Sequence, residues 1–223
     1  RIFSQGIAHN SYLIGSQGRA AVIDPRRDCD IYLEIARRNE LVITHIFETH
    51  RNEDYVIGSL PLAQRCGAAI FHGAAMDFAY GNYVHEGDTF TFGSLTVQVL
   101  ETPGHTGESI SLVVRDVKSG KAPYLVFCGD TIFAGDIART DFFGSDRNEE
   151  MAGIIFDRIT KKILPLGQGD LDLSLLRMIR DSGWRGPVGI LDHRPETDSA
   201  ETLRANLAGL QKLRQQLTDA DKK

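Results

Sequence analysis

Cysteine is scarce in this chain of 223 residues. Cys29, Cys66 and Cys128 are too few and too scattered for a disulfide scaffold or a four-cysteine zinc site. An odd number of dispersed thiols suits a reducing compartment. With Arg1 at the start and no signal-peptide core, the sequence reads as a trimmed or internal piece of a cytoplasmic protein. An excess of positive charge is also missing: 25 basic and 30 acidic side chains leave 25 − 30 = −5, which argues against a nucleic-acid partner. No apolar run approaches the roughly 20 residues that a membrane span needs, so a membrane helix is ruled out. What remains is ordinary, with 42% hydrophobic and 25% charged residues. That balance lets the chain bury a core as one domain or as two small ones.

Along the first half, short strands alternate with helices. Residues 11–15 and 20–23 predict two strands across a Gly-containing turn, and 30–39 has helical spacing. The run Val42-Ile43-Thr44-His45-Ile46-Phe47 has the length and β-branching of a buried strand. A helix over 55–66, a strand over 67–71, a hairpin within 89–100 and strands over 109–115 and 124–128 follow. The second half changes character. Residues 150–163 and 173–181 read as helices and 187–191 as a strand. Residues 200–217 form an amphipathic helix with Leu203, Leu207, Leu210, Leu213 and Leu217 on one face.

Chemistry is concentrated where apolar strands end. His50 follows Ile46-Phe47-Glu48-Thr49, His105 follows Leu100-Glu101-Thr102-Pro103-Gly104, Asp130 follows Val126-Phe127-Cys128-Gly129, and His193 follows Ile190-Leu191-Asp192. Loops leaving strand ends in α/β sheets are where sites assemble, because the strands hold the loop bases rigidly. Two imidazoles and a carboxylate give one face of a metal with open positions opposite, the arrangement of non-haem Fe(II). Gly104 and Gly129 would let the backbone turn sharply beside these ligands.

These residues carry a family resemblance. Glu48-Thr49-His50-Arg51-Asn52-Glu53-Asp54-Tyr55 resembles the His-x-His-x-Asp-His signature of the metallo-β-lactamase fold. Thr102-Pro103-Gly104-His105-Thr106 is similar to the next histidine motif of that superfamily, and Cys128-Gly129-Asp130-Thr131 to its aspartate motif. Residues 10–14, 22–27 and 135–141 look like the persulfide dioxygenase branch, which includes forms fused to rhodanese domains. The likeness covers about residues 1–166. It implies an α/β (α+β) fold, an αββα sandwich of two mixed sheets with helices outside and the metal at the sheet edge.

The resemblance also implies a site. In members holding two metals, positions 52 and 55 would be histidines, whereas here they are Asn52 and Tyr55. The dioxygenase branch uses two histidines and an aspartate for one iron, and those positions correspond to His50, His105 and Asp130. Asn52, whose amide is a poor Fe(II) ligand beside imidazole, is expected outside the coordination sphere. Asp54 is either a carboxylate orienting a ligand or a helix N-terminal acid. Arg139 is either a grip for a substrate carboxylate or a loop salt-bridge partner, and Tyr55 is a second substrate-binding candidate. The implied cofactor is one Fe(II) per chain, with Zn(II) as the alternative. The implied partners are a thiol persulfide and O₂.

Beyond about residue 167 the likeness changes. Gly169-Asp170-Leu171-Asp172 and the segment from Trp184 to His193 resemble the end of a sugar-phosphate isomerase/epimerase-type TIM barrel. A piece of this size cannot close an eight-stranded barrel, so residues 167–223 are expected to pack as a helix–strand–helix tail on the sandwich. His193 then either replaces the last metal ligand of the fold or is a structural histidine. Three functions compete: an iron-dependent persulfide dioxygenase, a zinc-dependent thioester hydrolase resembling glyoxalase II, and a metal-free interaction module. The hydrolase needs a second metal, for which Asp54 and His193 are the evident ligands.

Overall fold

In the computed structural model, the described residues are 1–167 except 8, 120–122 and 134–135. Contacts divide the chain into two units, Arg1–Pro165 and Leu166–Lys223, and the architecture below is that of the first. The tail elements expected over 173–217, and His193 with them, lie outside the described residues.

One sheet has six strands in chain order: β1 (Ile2–Ser4), β2 (His9–Ser16), β3 (Arg19–Ile23), β4 (Val42–Phe47), β5 (Ala69–Gly73) and β6 (Asn82–Val84). The first three pair antiparallel and β3 to β6 pair parallel. Parallel neighbours need crossover connections. Helix α1 (Asp30–Arg38) links β3 to β4, and α2 (Ser59–Cys66) links β4 to β5. The second sheet holds β7 (Thr89–Phe92), β8 (Leu95–Glu101), β9 (Ile110–Asp116) and β10 (Leu125–Phe127) in the order β10-β9-β8-β7. A two-residue turn joins β7 to β8, with Gly93 at φ +63°, the left-handed conformation such hairpin turns require.

Strand β4 shows why the apolar run 42–47 belongs in the middle. Its Ile43 and Ile46 pack against Tyr32, Ala36 and Leu62 on the helix side. Phe47, completely buried, faces Phe92, Val97 and Leu112 between the sheets. A parallel strand covered on both faces has no polar side to show, so the run is continuous rather than alternating. Full burial of each such side chain contributes about 1.5–3 kcal/mol, which makes this double-sided packing the main local reason for the strand's position.

The expected sandwich class holds, with differences in detail. The six-stranded sheet is mixed, whereas the four-stranded sheet is antiparallel throughout its described strands, because short turns and loops return the chain directly. Helix α2 begins at Ser59 rather than at residue 55. Gly58 lies against the 25–27 segment so closely that a Cβ there would stand 2.0 Å from the Arg26 carbonyl oxygen. Helix α3 (Asn148–Arg158) gives way to a wider π-type turn over Ile159–Ile163, which shortens the helix expected over 150–163. Strand β6 and the small hairpin β11 (Ile132–Phe133) with β12 (Asp136–Ile137) are too short to have an alternation that sequence could reveal. Among the described residues no helix is long and apolar enough to cross a membrane.

Candidate metal centre

Three loops bring the strand-end residues together. The segment after β4 carries Glu48, Thr49 and His50, and its Thr49 carbonyl accepts the Ile110 N–H at 2.8 Å, tying it to the start of β9. The loop between β8 and β9 carries His105. Within it Glu108 accepts from Thr106 Oγ1 at 2.9 Å and from the Arg51 N–H at 2.8 Å, so one carboxylate fastens both histidine loops. A 3-10 turn over Gly129–Thr131, after β10, carries Asp130. Gly129 is at φ +51°, and a Cβ there would lie 2.4 Å from Thr49 Oγ1. Glycine alone permits that approach.

His50 and His105 are buried, and both direct Nε2 at the Asp130 carboxylate, 3.7 and 3.8 Å from its Oδ2. Hydrogen bonding fixes which nitrogen of each ring carries the proton. With Asp24 ionised, Thr49 Oγ1 donates its only hydrogen to Asp24 Oδ2 at 2.7 Å, so toward His50 Nδ1, 3.0 Å away, it can only accept. His105 Nδ1 donates to the Arg139 carbonyl oxygen at 3.0 Å, a group with no hydrogen to give. In the neutral rings both Nε2 atoms therefore bear lone pairs, and neither has a hydrogen-bond partner despite being buried.

Glu53 adds a fourth acceptor, its Oε1 3.5 Å from His105 Nε2, and the donor atoms of His50, Glu53 and His105 all fall within 4.8 Å of one another. Lone pairs facing lone pairs in a buried pocket repel unless a cation lies among them. Metal bonds of about 2.0–2.2 Å set neighbouring donors about 3 Å apart, so the Asp130 contacts to His50 and His105, at 3.7 and 3.8 Å, need shorten by only a fraction of an ångström. The donor set fits a divalent ion. His50, His105 and Asp130 are thus brought together, with Glu53 beside them.

The remaining candidates fall at different places. Asn52, Asp54 and Tyr55 line a cavity of about 500 Å³ together with His50, Asp130 and His9. Tyr55, its phenol kept protonated by burial, bonds His9 Nε2 at 2.7 Å, and the two ring centroids lie 4.1 Å apart with the planes tilted by 40°. Arg139 holds Asp141 with two 2.6 Å hydrogen bonds on the surface. That contact is the loop ion pair, and the Arg139 carbonyl is what meets the His105 ring.

Burial governs the electrostatics. It pushes the Asp24 carboxyl up to about 7 and the Asp130 carboxyl upward. Burial, with His105 next to it, pulls the His50 imidazole down to about 4. In the metal-free protein these groups act oppositely on stability. Asp24 favours the fold below pH 4 and loses that contribution as pH rises toward 7. His50 contributes above 6.5 and loses it as pH falls toward 4. Between pH 4.5 and 6.5 the two nearly cancel. Asp24→Asn removes one partner, so its stability should rise with pH across that interval by on the order of 2–3 kcal/mol. Urea unfolding in chelator at the two pH values reads the difference. A variant as flat as the parent would refute it.

The family model of the metallo-beta-lactamase superfamily matches residues 5–205. The chain belongs to this superfamily. The match extends well past residue 167, so the barrel likeness of the tail finds no support. Among relatives of this metallo-β-lactamase-fold chain, the hydroxyacylglutathione hydrolase of Francisella philomiragia is 26% identical over 92% of the chain and 83% of its own length. That of Rhizobium johnstonii is 38% identical over 52% of the chain, which spans 44% of that relative. Among solved structures, ETHE1 from Myxococcus xanthus superposes with a TM-score of 0.64 at 31% identity, over 74% of this chain and 69% of its own. A metallo-beta-lactamase from Staphylococcus aureus superposes with a TM-score of 0.66 at 35% identity, over 71% and 50%.

Within this metallo-β-lactamase framework, sequence reasoning missed Asp24 and Glu53. Asp24 carries a local signal, a left-handed φ of +48° at a strand end before Pro25, but its partner Thr49 is far along the chain. Glu53 occupies an unassigned position between motif residues, and only the turn after His50 folds it back toward His105.

Proposed function

We propose that this chain is a persulfide dioxygenase-like enzyme, oxidising a low-molecular-weight thiol persulfide such as glutathione persulfide with O₂ and water to sulfite and thiol. The observation that carries the reading is the paired orphaned imidazole nitrogens converging on Asp130 while Asn52 and Tyr55 occupy the places where two-metal hydrolases have histidines. ETHE1 as a structural neighbour fits the same branch.

His50, His105 and Asp130 would hold one Fe(II), which supplies the oxygen-activating chemistry when bound. The chain supplies position and surroundings. Asp24, through Thr49, keeps the His50 ring turned with Nε2 inward, and the Arg139 carbonyl does the same for His105. The cavity holds the substrate against that edge, so that sulfur and O₂ meet in a fixed orientation. Tyr55 offers a protonated phenol and His9 a neutral ring, since burial lowers its affinity for a proton. Both can hydrogen-bond a polar substrate without adding charge.

A second reading, a zinc-dependent thioester hydrolase of the glyoxalase II type, is favoured by the hydroxyacylglutathione hydrolase relatives. Oxygen uptake separates the two. After anaerobic iron loading, glutathione persulfide should drive O₂ consumption and sulfite formation, with Asp130→Ala as the blank. S-lactoylglutathione should be hydrolysed little, because the second metal that would position a hydroxide lacks its imidazoles. Thioester hydrolysis without oxygen uptake would transfer the assignment to the hydrolase, and silence in both assays would leave a non-catalytic module.

A further inference from the structure

We infer that Glu53 is a fourth protein ligand of the metal, so that the centre is two histidines and two carboxylates rather than the three-residue set. This rests on the reading of His50, His105 and Asp130 as ligands and extends it. Glu53 Oε1 lies nearer His105 Nε2, at 3.5 Å, than Asp130 Oδ2 does, at 3.8 Å. Among the described residues, His105 is the one basic side chain within 4 Å of the Glu53 carboxylate, and His105 Nδ1 already holds the ring's proton against the Arg139 carbonyl. Glu53, His50 and His105 bring one ligand atom each within 4.8 Å of the others, a cluster that a shared cation would draw together.

The local sequence explains how position 53 comes to serve. The turn after His50 keeps its place because the Arg51 N–H is held by Glu108. Asn52, at the motif position where an imidazole is missing, leaves a buried amide nitrogen without a hydrogen-bond partner. The next residue supplies an anionic oxygen in its stead. Two carboxylates balance the charge of a divalent ion, and oxygen donors beside imidazole can accommodate a harder, higher-coordinate ion such as Fe(II) or Mn(II). With four protein ligands the ion would retain room for substrate, whose oxygen chemistry it would supply.

Cobalt(II) titration of the full chain, prepared metal-free and followed by visible absorption with a competing chelator for affinity, tests this without turnover. Glu53→Gln should weaken Co(II) binding by about 100-fold, the upper end of the cost of losing a group that supports a metal. It should also change the band intensities, which rise as coordination number falls. Asp54→Asn removes the same charge from the neighbouring residue and should leave the spectrum as in the parent. If Glu53→Gln keeps the parent's affinity and spectrum while His50→Ala loses Co(II), the inference fails and the three-residue centre stands. If Asp54→Asn reproduces both changes, Glu53 acts only through charge and the inference fails as well. If His50→Ala retains Co(II) with the parent spectrum, the metal lies elsewhere and both readings fall.

Discussion

Alanine in place of His50, His105 or Asp130 should each reduce metal content from about one iron per chain to background and remove activity with it. Each residue supplies one of a small number of donor atoms, and two of the three are buried where no outside group can substitute. If metal binding is worth on the order of 10 kcal/mol, losing a third of it lowers affinity by about two orders of magnitude or more. The truncation also leaves the surviving acceptors facing one another without a counter-ion, which adds to the loss. Elemental analysis of anaerobically purified protein gives the answer directly. Two tightly held zinc ions per parent chain, or iron retained at full occupancy in any of the three variants, would refute the expectation.

Gly129→Ala should be strongly damaging for the addition of a single methyl group. An L-residue at φ +51° costs roughly 1–2 kcal/mol in itself. The new Cβ would also stand 2.4 Å from Thr49 Oγ1 and 2.8 Å from Thr49 Cβ, far inside contact distance. Relief requires Thr49 to move, yet Thr49 is the buried link through which Asp24 orients His50. We expect about 2–3 kcal/mol of destabilisation, a fall of about 5–10 °C in Tm, and about tenfold weaker metal binding. Thermal unfolding of the metal-free protein together with chelator competition measures both. An unchanged Tm with unchanged affinity would show that the loop shifts freely and that the glycine is dispensable.

The fold was legible wherever a segment's pattern depended on its own burial. Strand β4 announces itself by six residues that avoid charge, and α1 by its spacing. Strand ends marked His50, His105 and Asp130, and the ordered motifs supported the same three. Illegible features depend on contacts between distant segments. The Arg139 carbonyl, which meets His105 Nδ1, is a backbone group that every residue has, so no side-chain pattern marks it. Gly58 delays α2 because of a neighbouring segment some thirty residues earlier, which no local propensity encodes. The antiparallel second sheet follows from connection length, a quantity read only once the strands β8, β9 and β10 have their true ends.

The proton arrangement on the two imidazoles has a practical consequence. Both rings hold their hydrogen on Nδ1 before any ion arrives, and His50 stays neutral down to about pH 4. Loading the site then calls for no ring rotation and, at His50, no imidazole deprotonation, so capture should be fast and undiscriminating. Where capture is that easy, the Irving–Williams series favours zinc or copper over iron whenever they are plentiful. The ion carried by a purified sample therefore records the metals present while the chain folded, and a zinc-filled preparation from a zinc-rich culture says more about the medium than about the enzyme.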